Sequence, residues 1–145
     1  MVALQTAPPV NNFILNNHDN MAHELDMMMG ENGILLGFTG DVWNVSCVRY
    51  VLWLQRQAFK LSTKGVSSAL IVPNRPYELN GFFMSIPREI PFPLLADPTG
   101  DVYEDLGMAQ PGYVLLSRDR NVLGRWQIND STSLSLKSVL YRLGK

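Results

Sequence analysis

Apolar residues along the chain fall into two alternating patterns, which are short continuous runs and longer stretches with helical spacing. Residues 34–38 form an almost continuous apolar run between Gly33 and Gly40, typical of a strand buried on both faces of a parallel sheet. From Cys47 to about Lys64, apolar residues recur at steps of three and four, which predicts a long amphipathic helix. Residues 66–72 repeat the strand pattern. The first half of the chain therefore predicts alternating strands and helices.

The rest of the chain carries weaker versions of the same patterns. They predict a strand near residues 13–15, a helical turn over 21–29, a helix over 77–86 with Asn74 and Pro76 at its start, a short strand over 92–95, a helix over 102–106, a hairpin of strands 113–116 and 122–128, and a final helix capped by Ser131. Alternation followed by a hairpin predicts an α/β fold in which a mixed sheet has helices on both faces. We expect one domain over residues 1–145, because no composition shift or repeat divides the chain.

Charge and cysteine content narrow the classes of function. The formal net charge is -1 and no basic stripe is present, so we expect no nucleic-acid partner. No apolar run approaches the roughly 18 residues of a membrane helix, and residues 1–9 lack the features of a signal peptide, so we expect a cytoplasmic protein without a membrane partner. A single cysteine excludes an intrachain disulfide. His18 and His23 have no metal-ligand spacing, so we expect both on the surface and no metal.

Candidate chemistry is concentrated in residues 38–47, which join the end of a buried strand to the start of the long helix. The first amides of a helix have no intrahelical partner, and the positive end of the helix dipole lies there. A cysteine in this position can have a pKa below about 8.5, which increases the thiolate fraction at neutral pH. The same amides can stabilise a peroxide oxygen. Cys47 is therefore the candidate nucleophile.

The segment around Cys47 resembles the peroxidatic loop of peroxiredoxins, which reads proline, three residues, threonine or serine, two residues, cysteine. Without a gap, Cys47 aligns with the peroxidatic cysteine, Asn44 with the threonine and Gly40 with the proline. Residues 91–107 resemble the family's phenylalanine-proline-leucine and aspartate-x-x-glycine segment, residues 112–122 resemble its last hairpin, and residues 8–15 resemble its entry strand. The resemblance is thus to the peroxiredoxin-like (alkyl hydroperoxide reductase / thiol-specific antioxidant) family of the thioredoxin-fold superfamily.

The resemblance implies a thioredoxin-like fold and a one-cysteine thiol peroxidase, an oxidoreductase with an antioxidant role. Cys47 would attack a hydroperoxide, with Asn44 as the second catalytic residue in the threonine position. The sulfenic acid would be reduced by an external thiol, from a thioredoxin-like protein or a low-molecular-weight thiol. The resemblance implies no cofactor, and it implies a possible homodimer.

The chain departs from the family pattern at three supporting positions. Gly40 replaces the proline that shields the thiol, and Asn44 replaces the threonine. The family's arginine, which lowers the thiol pKa, aligns near Gln110 or Pro111. Three arginines elsewhere in the chain are candidates to replace it: Arg49, Arg118 and Arg125.

Two alternatives stay open. Residues 43–47 also resemble the thioredoxin sequence tryptophan-cysteine-x-x-cysteine, with Asn44 in place of the first cysteine and Pro111 as the facing cis-proline. Dithiol exchange needs both sulfurs, so disulfide reductase activity is not expected. The second alternative is a catalytically weak or inactive redoxin-like domain that binds a partner through the loop around Trp43. Asp41 is either a general base or a solvated carboxylate that raises the thiol pKa.

Overall fold

The computed structural model describes residues 9–43, 45–86, 90–108, 111–127 and 134–143. The strands are β1 (Ile14–Asn17), β2 (Ala22–Glu24), β3 (Gly33–Phe38), β4 (Val66–Val72), β5 (Leu94–Ala96), β6 (Gly112–Leu116) and β7 (Val122–Gln127). The helices are α1 (Leu25–Met28), α2 (Val45–Thr63), α3 (Pro76–Ser85), α4 (Asp101–Asp105) and α5 (Leu136–Leu143).

All these strands belong to one seven-stranded sheet in the order β2-β1-β5-β4-β3-β6-β7. The central pairs β3–β4 and β4–β5 are parallel, whereas β1–β2, β1–β5, β3–β6 and β6–β7 are antiparallel. The predicted mixed sheet is therefore confirmed. Its parallel centre brings the carboxyl ends of β3 and β4 to the same edge, and the loop before α2 begins at that edge.

Alternation along β3 divides the core between the two faces of the sheet. Leu35 packs in one apolar cluster, while Leu36 packs in the other, because successive side chains of a strand point to opposite faces. Helices α2, α3 and α5 bury residues such as Leu54, Leu79 and Val139 in the first cluster. Helices α1 and α4 bury Leu25 and Val102 in the second. Both faces are thus covered by helices, as the sequence predicts.

The prediction of a helical turn over residues 21–29 is wrong in its first half. Residues Ala22–Glu24 form β2 and pair with β1, and only Leu25–Met28 is helical. The hairpin is closed by Asn17, whose side-chain oxygen accepts hydrogen bonds from the backbone N–H groups of Asp19 and Met21. Asn20 completes the turn with a φ of 61°, a conformation that asparagine tolerates.

Three predicted helix starts also change. Helix α2 begins at Val45, so Cys47 is its third residue. Helix α3 begins at Pro76, the residue predicted for its first turn, but its cap is Arg75 rather than Asn74, and the Arg75 N–H donates to the Glu78 carboxylate at 2.9 Å. The last helix begins at Leu136, and the Ser135 hydroxyl accepts from the Ser138 N–H at 3.1 Å. The predicted cap, Ser131, lies outside the described residues.

Candidate functional site

Cys47 lies in the first turn of α2, at the carboxyl edge of the parallel strands. Its side chain is 1% exposed and belongs to the apolar cluster on the α2 face of the sheet. Within the first turn the backbone N–H groups have no intrahelical acceptor. The structure therefore confirms the predicted position at a helix start, but it places the sulfur beneath the surface.

Thr39, the first residue after β3, is the polar side chain that contacts the sulfur. The Cys47 thiol donates to the Thr39 hydroxyl oxygen, with 3.4 Å between Sγ and Oγ1. The Thr39 hydroxyl in turn donates to the Gly40 carbonyl at 2.8 Å. Thr39 is 2% exposed. The peroxiredoxin motif does not include this residue. One feature of the sequence does point to it, because Thr39 is the first polar side chain after the apolar strand.

Burial dominates the acidity of the thiol. Desolvation disfavours the thiolate and raises the pKa of Cys47 from 9.0 to about 11. The hydrogen bond with Thr39 acts in the opposite direction, and the negative charge of Asp41 raises the pKa further. None of these three influences is a cation. The lowered pKa that a helix start can give is therefore not found in this conformation, in which burial raises the pKa of Cys47.

The loop between β3 and α2 is fastened by two side chains. Asn74, which is 4% exposed, accepts a hydrogen bond from the Val42 N–H at 3.0 Å. The Asp41 carboxylate accepts from the Trp43 N–H at 2.9 Å and from the Asn74 amide at 3.3 Å. Asn74 was predicted to cap α3, but its side chain turns into the loop instead. Asp41 is exposed and acts as the carboxylate that raises the thiol pKa.

Trp43 forms an exposed apolar surface in the loop between β3 and α2, which leads to Cys47 and is called the thiol loop below. Its side chain is 59% exposed, and its ring meets Phe82 of α3 edge to face with centroids 6.0 Å apart. The ring also lies over Gly81, where an added Cβ would be 3.8 Å from it. Trp43 is therefore both a packing residue and a solvent-facing one.

The predicted supporting residues are not all brought to Cys47. Asn44 and Gln110 lie outside the described residues, and so does the peptide bond between Gln110 and Pro111. Arg118 donates to the Gly30 carbonyl at 3.2 Å, near the start of β3. A strand of this length spans about 20 Å, so this guanidinium lies at the end of the sheet opposite to Cys47.

The other two candidate arginines are also unsuited to the role. Arg125 donates through Nε to the Leu106 carbonyl at 3.0 Å, and Leu106 packs on the sheet face opposite to Cys47. Arg49 is exposed on α2. Neither Arg125 nor Arg49 is among the causes of the shifted Cys47 pKa.

Neither histidine belongs to a candidate metal centre. His23 lies 3.2 Å from the Asn17 amide, and the described residues hold no group of three or more metal-binding side chains. The expectation that His18 lies on the surface needs correction. Its side chain is only 16% exposed because the ring stacks on Phe83 of α3, with centroids 3.7 Å apart.

Several solved structures share this architecture over nearly their whole length. Peroxidoxin BcpB from Mycobacterium tuberculosis superposes with a TM-score of 0.80 at 18% identity, covering 98% of this chain and 97% of that one. A putative thiol:disulfide interchange protein DsbE from Chlorobium tepidum gives 0.79 at 20% identity, covering 98% and 100%. AhpC from Enterococcus faecalis gives 0.81 at 11% identity, covering 96% and 90%. The fold is therefore the thioredoxin-like fold of peroxiredoxins.

The sequence supports a closer assignment than the fold alone. The model of the AhpC/TSA family matches residues 5–128, so the chain belongs to the AhpC/TSA family. No curated protein sequence matches the chain. Family membership supports a thiol-dependent redox function. Among the described residues, no helix has both the length and the apolar character needed to cross a membrane.

Proposed function

We propose that this protein is a one-cysteine thiol peroxidase that reduces hydroperoxides through Cys47. The thiolate attacks the distal peroxide oxygen, the O–O bond breaks, and the leaving alkoxide or hydroxide takes up a proton. Cys47 becomes a sulfenic acid while the peroxide is reduced to an alcohol or water. An external thiol then attacks the sulfenic sulfur and releases water, and a second external thiol frees Cys47 from the mixed disulfide.

The observation that carries this proposal is the hydrogen bond between Cys47, at the start of α2, and the hydroxyl of Thr39, which follows β3. The hydroxyl is within reach of the sulfur, with 3.4 Å between the two atoms. When the thiol ionises, the Thr39 proton can turn from the Gly40 carbonyl to the thiolate and stabilise it. Thr39 thus supplies a hydroxyl near the sulfur in a chain whose aligned position, Asn44, has none.

Burial sets the expected rate. A sulfur that is 1% exposed is reached by peroxide only when the residues that cover it move. Its pKa of about 11 leaves little thiolate at neutral pH in the closed conformation. We therefore expect a slow peroxidase whose rate increases with pH.

Peroxide turnover tests the proposal directly. The reduced protein is mixed with hydrogen peroxide and excess dithiothreitol, and peroxide loss is followed over time. Cys47→Ser is the matched control, since it removes the sulfur and keeps a small polar side chain. The wild type should consume peroxide catalytically and the variant should match the buffer blank. Equal rates for the two proteins would reject the proposal.

A second candidate function is a redoxin-like domain that binds a partner through the loop around Trp43. It is favoured by the buried thiol with its raised pKa and by the 59% exposure of Trp43. In this case Trp43→Ala should fail to restore the phenotype of cells that lack the protein, while Cys47→Ser should restore it. The reverse result would favour the peroxidase. A homodimer remains a prediction from the family resemblance.

A further inference from the structure

Tyr103, on α4, reaches across the carboxyl edge of the sheet to the start of the thiol loop. Its hydroxyl lies 2.6 Å from the Thr39 carbonyl and 2.8 Å from the Ile71 carbonyl, and the two carbonyls share its single donated proton. The Ile71 carbonyl also accepts the Thr39 N–H at 3.2 Å, the backbone bond that follows the last paired residues of β3 and β4. The Tyr103 hydroxyl therefore binds the carbonyls at the end of the β3–β4 pairing, where the chain passes from β3 into the loop before Cys47.

The position of the Tyr103 side chain is fixed from both ends. Asp97 is 2% exposed, and its carboxylate accepts the N–H groups of Val102 at 2.9 Å and Tyr103 at 3.3 Å. The Tyr103 ring packs edge to face on Phe38, with centroids 5.0 Å apart. Burial raises the pKa of Tyr103 above its ordinary range, so the phenol keeps its proton and remains a donor. A Tyr103 side chain fixed in this way can fix the residue that its hydroxyl contacts, Thr39.

The contacts of Thr39 connect this hydroxyl to the sulfur. Tyr103 binds the Thr39 carbonyl, and the Thr39 side chain binds Cys47. We propose that Tyr103 is a positioning residue for Cys47, which acts by holding Thr39 in the orientation that places its hydroxyl on the sulfur. This proposal rests on the proposed function, in which Cys47 is the reacting group. Without the phenol, the Thr39 carbonyl loses this donor, and the residue is free to turn its side chain from the sulfur.

Tyr113 provides a matched control. It is 2% exposed and lies in β6, beside β3. Its hydroxyl is 3.5 Å from the Tyr50 carbonyl in α2. Tyr113→Phe therefore removes a buried phenol hydroxyl that does not bond to Thr39. A general effect of losing such a hydroxyl would appear in both variants, whereas positioning through Thr39 would appear only in Tyr103→Phe.

The test is a double-mutant cycle on the reactivity of the thiol. Iodoacetamide is the probe, and its rate of reaction with Cys47 is measured against pH for the wild type, Tyr103→Phe, Thr39→Val and the double variant. Tyr103→Phe should slow alkylation at neutral pH by about fivefold and move the profile to higher pH, as the loss of about one hydrogen bond would. In the Thr39→Val background the same change should have no further effect, because the residue it acts through is already altered. Tyr113→Phe should match the wild type.

Three results would overturn the proposal. The first is an unchanged or faster rate in Tyr103→Phe, the second is equal slowing by Tyr103→Phe in both backgrounds, and the third is equal slowing by Tyr113→Phe. If Tyr103→Phe does not fold, Asp97→Asn takes its place in the cycle, because this variant weakens the turn that carries Tyr103. Asp97→Asn should slow alkylation only when Thr39 is present, and slowing in both the Thr39 and the Thr39→Val backgrounds would reject the proposal.

The probe contains no peroxide, so this test is separate from the test of the proposed function. A wild type that consumes peroxide but shows no coupling between Tyr103 and Thr39 overturns the positioning role alone. Coupling in a wild type that consumes no peroxide supports the positioning role and rejects the peroxidase.

Discussion

Opposing influences act on the sulfur of Cys47. Its place in the first turn of α2 and its bond with Thr39 favour the thiolate, while burial and the charge of Asp41 disfavour it. Burial is the largest influence, so the pKa rises. Burial and the Asp41 charge thus raise the pKa of a thiol whose place at a helix start favours the thiolate.

Removing the charge of Asp41 should make Cys47 more reactive. Asp41→Asn keeps an oxygen that accepts from the Trp43 N–H, but it removes the negative charge that raises the thiol pKa. The pKa should fall, and alkylation by iodoacetamide at neutral pH should become about threefold faster, since the carboxylate faces water and its field is screened. Asp119→Asn, in the exposed β6–β7 turn, is the control and should leave the rate unchanged. A slower reaction in Asp41→Asn would contradict the assignment of this charge.

The sequence identifies Cys47 and its helix start but not Thr39. The family motif places its hydroxyl at position 44, whereas in the structure Thr39 supplies the hydroxyl from the end of β3. Spacing along the chain does not show that a strand end and a helix start eight residues apart place two side chains in contact. The depth of the thiol was also missed, because it depends on packing from several elements.

The loop that carries Cys47 depends on elements that lie beyond it in the chain. Asn74, before α3, holds the Val42 N–H, and Tyr103 of α4 holds the Thr39 carbonyl. These contacts explain how a loop with Gly40 in place of proline keeps its conformation. The loop is held by hydrogen bonds from residues later in the chain rather than by a rigid residue of its own.

Truncation of Asn74 should destabilise this loop and the fold. Asn74→Ala leaves the buried Val42 N–H without its acceptor, which costs about 1–3 kcal/mol. Urea unfolding should show this loss in the free energy of unfolding. Asn80→Ala, on α3, is the control, since Asn80 is exposed and its contacts are 3.4 and 3.5 Å long. Its effect should stay within about 0.5 kcal/mol. Equal losses in the two variants would show that the Val42 contact contributes nothing specific.

Elements with strong periodicity were predicted well. The apolar run of β3 and the stripe of α2 give their types and nearly their bounds, because buried strands and amphipathic helices impose clear spacing. Strand β2 was missed because its three residues, alanine, histidine and glutamate, have no alternating pattern. It forms by pairing with β1 across a turn made by Asn17 and Asn20, which is tertiary context rather than local preference.

The whole molecule combines a thioredoxin-like sheet with a thiol buried at the edge of its parallel strands. Because folding places Cys47 in an apolar environment, its ionisation is linked to stability. The folded pKa, about 11, is above the ordinary value of 9.0. A group of this kind contributes its full stabilisation below the unfolded pKa and loses it as the pH rises through the folded pKa.

The free energy of unfolding should therefore fall between about pH 9 and pH 11, with Cys47 contributing at most about 3 kcal/mol of the change. Urea unfolding of the wild type and of Cys47→Ala across this range measures the contribution. Burial also raises the pKa values of Tyr103 and Tyr113, which lower the stability of both proteins from the ordinary tyrosine pKa of 10.0 upward, so their contribution largely cancels in the difference between the two curves. Parallel curves would show that Cys47 has the same pKa in the folded and unfolded states.

The central claim is that Cys47 reacts with peroxides, and mass spectrometry of the intact protein tests it most directly. The reduced wild type is mixed with hydrogen peroxide, the reaction is stopped at intervals with a reagent that traps sulfenic acid, and the modified residue is located by peptide mapping. We predict that Cys47 gains one oxygen atom and is trapped as the sulfenic acid, slowly at neutral pH and faster as the pH rises, because burial raises the pKa of the thiol. A Cys47 that stays reduced across this pH range would contradict the account.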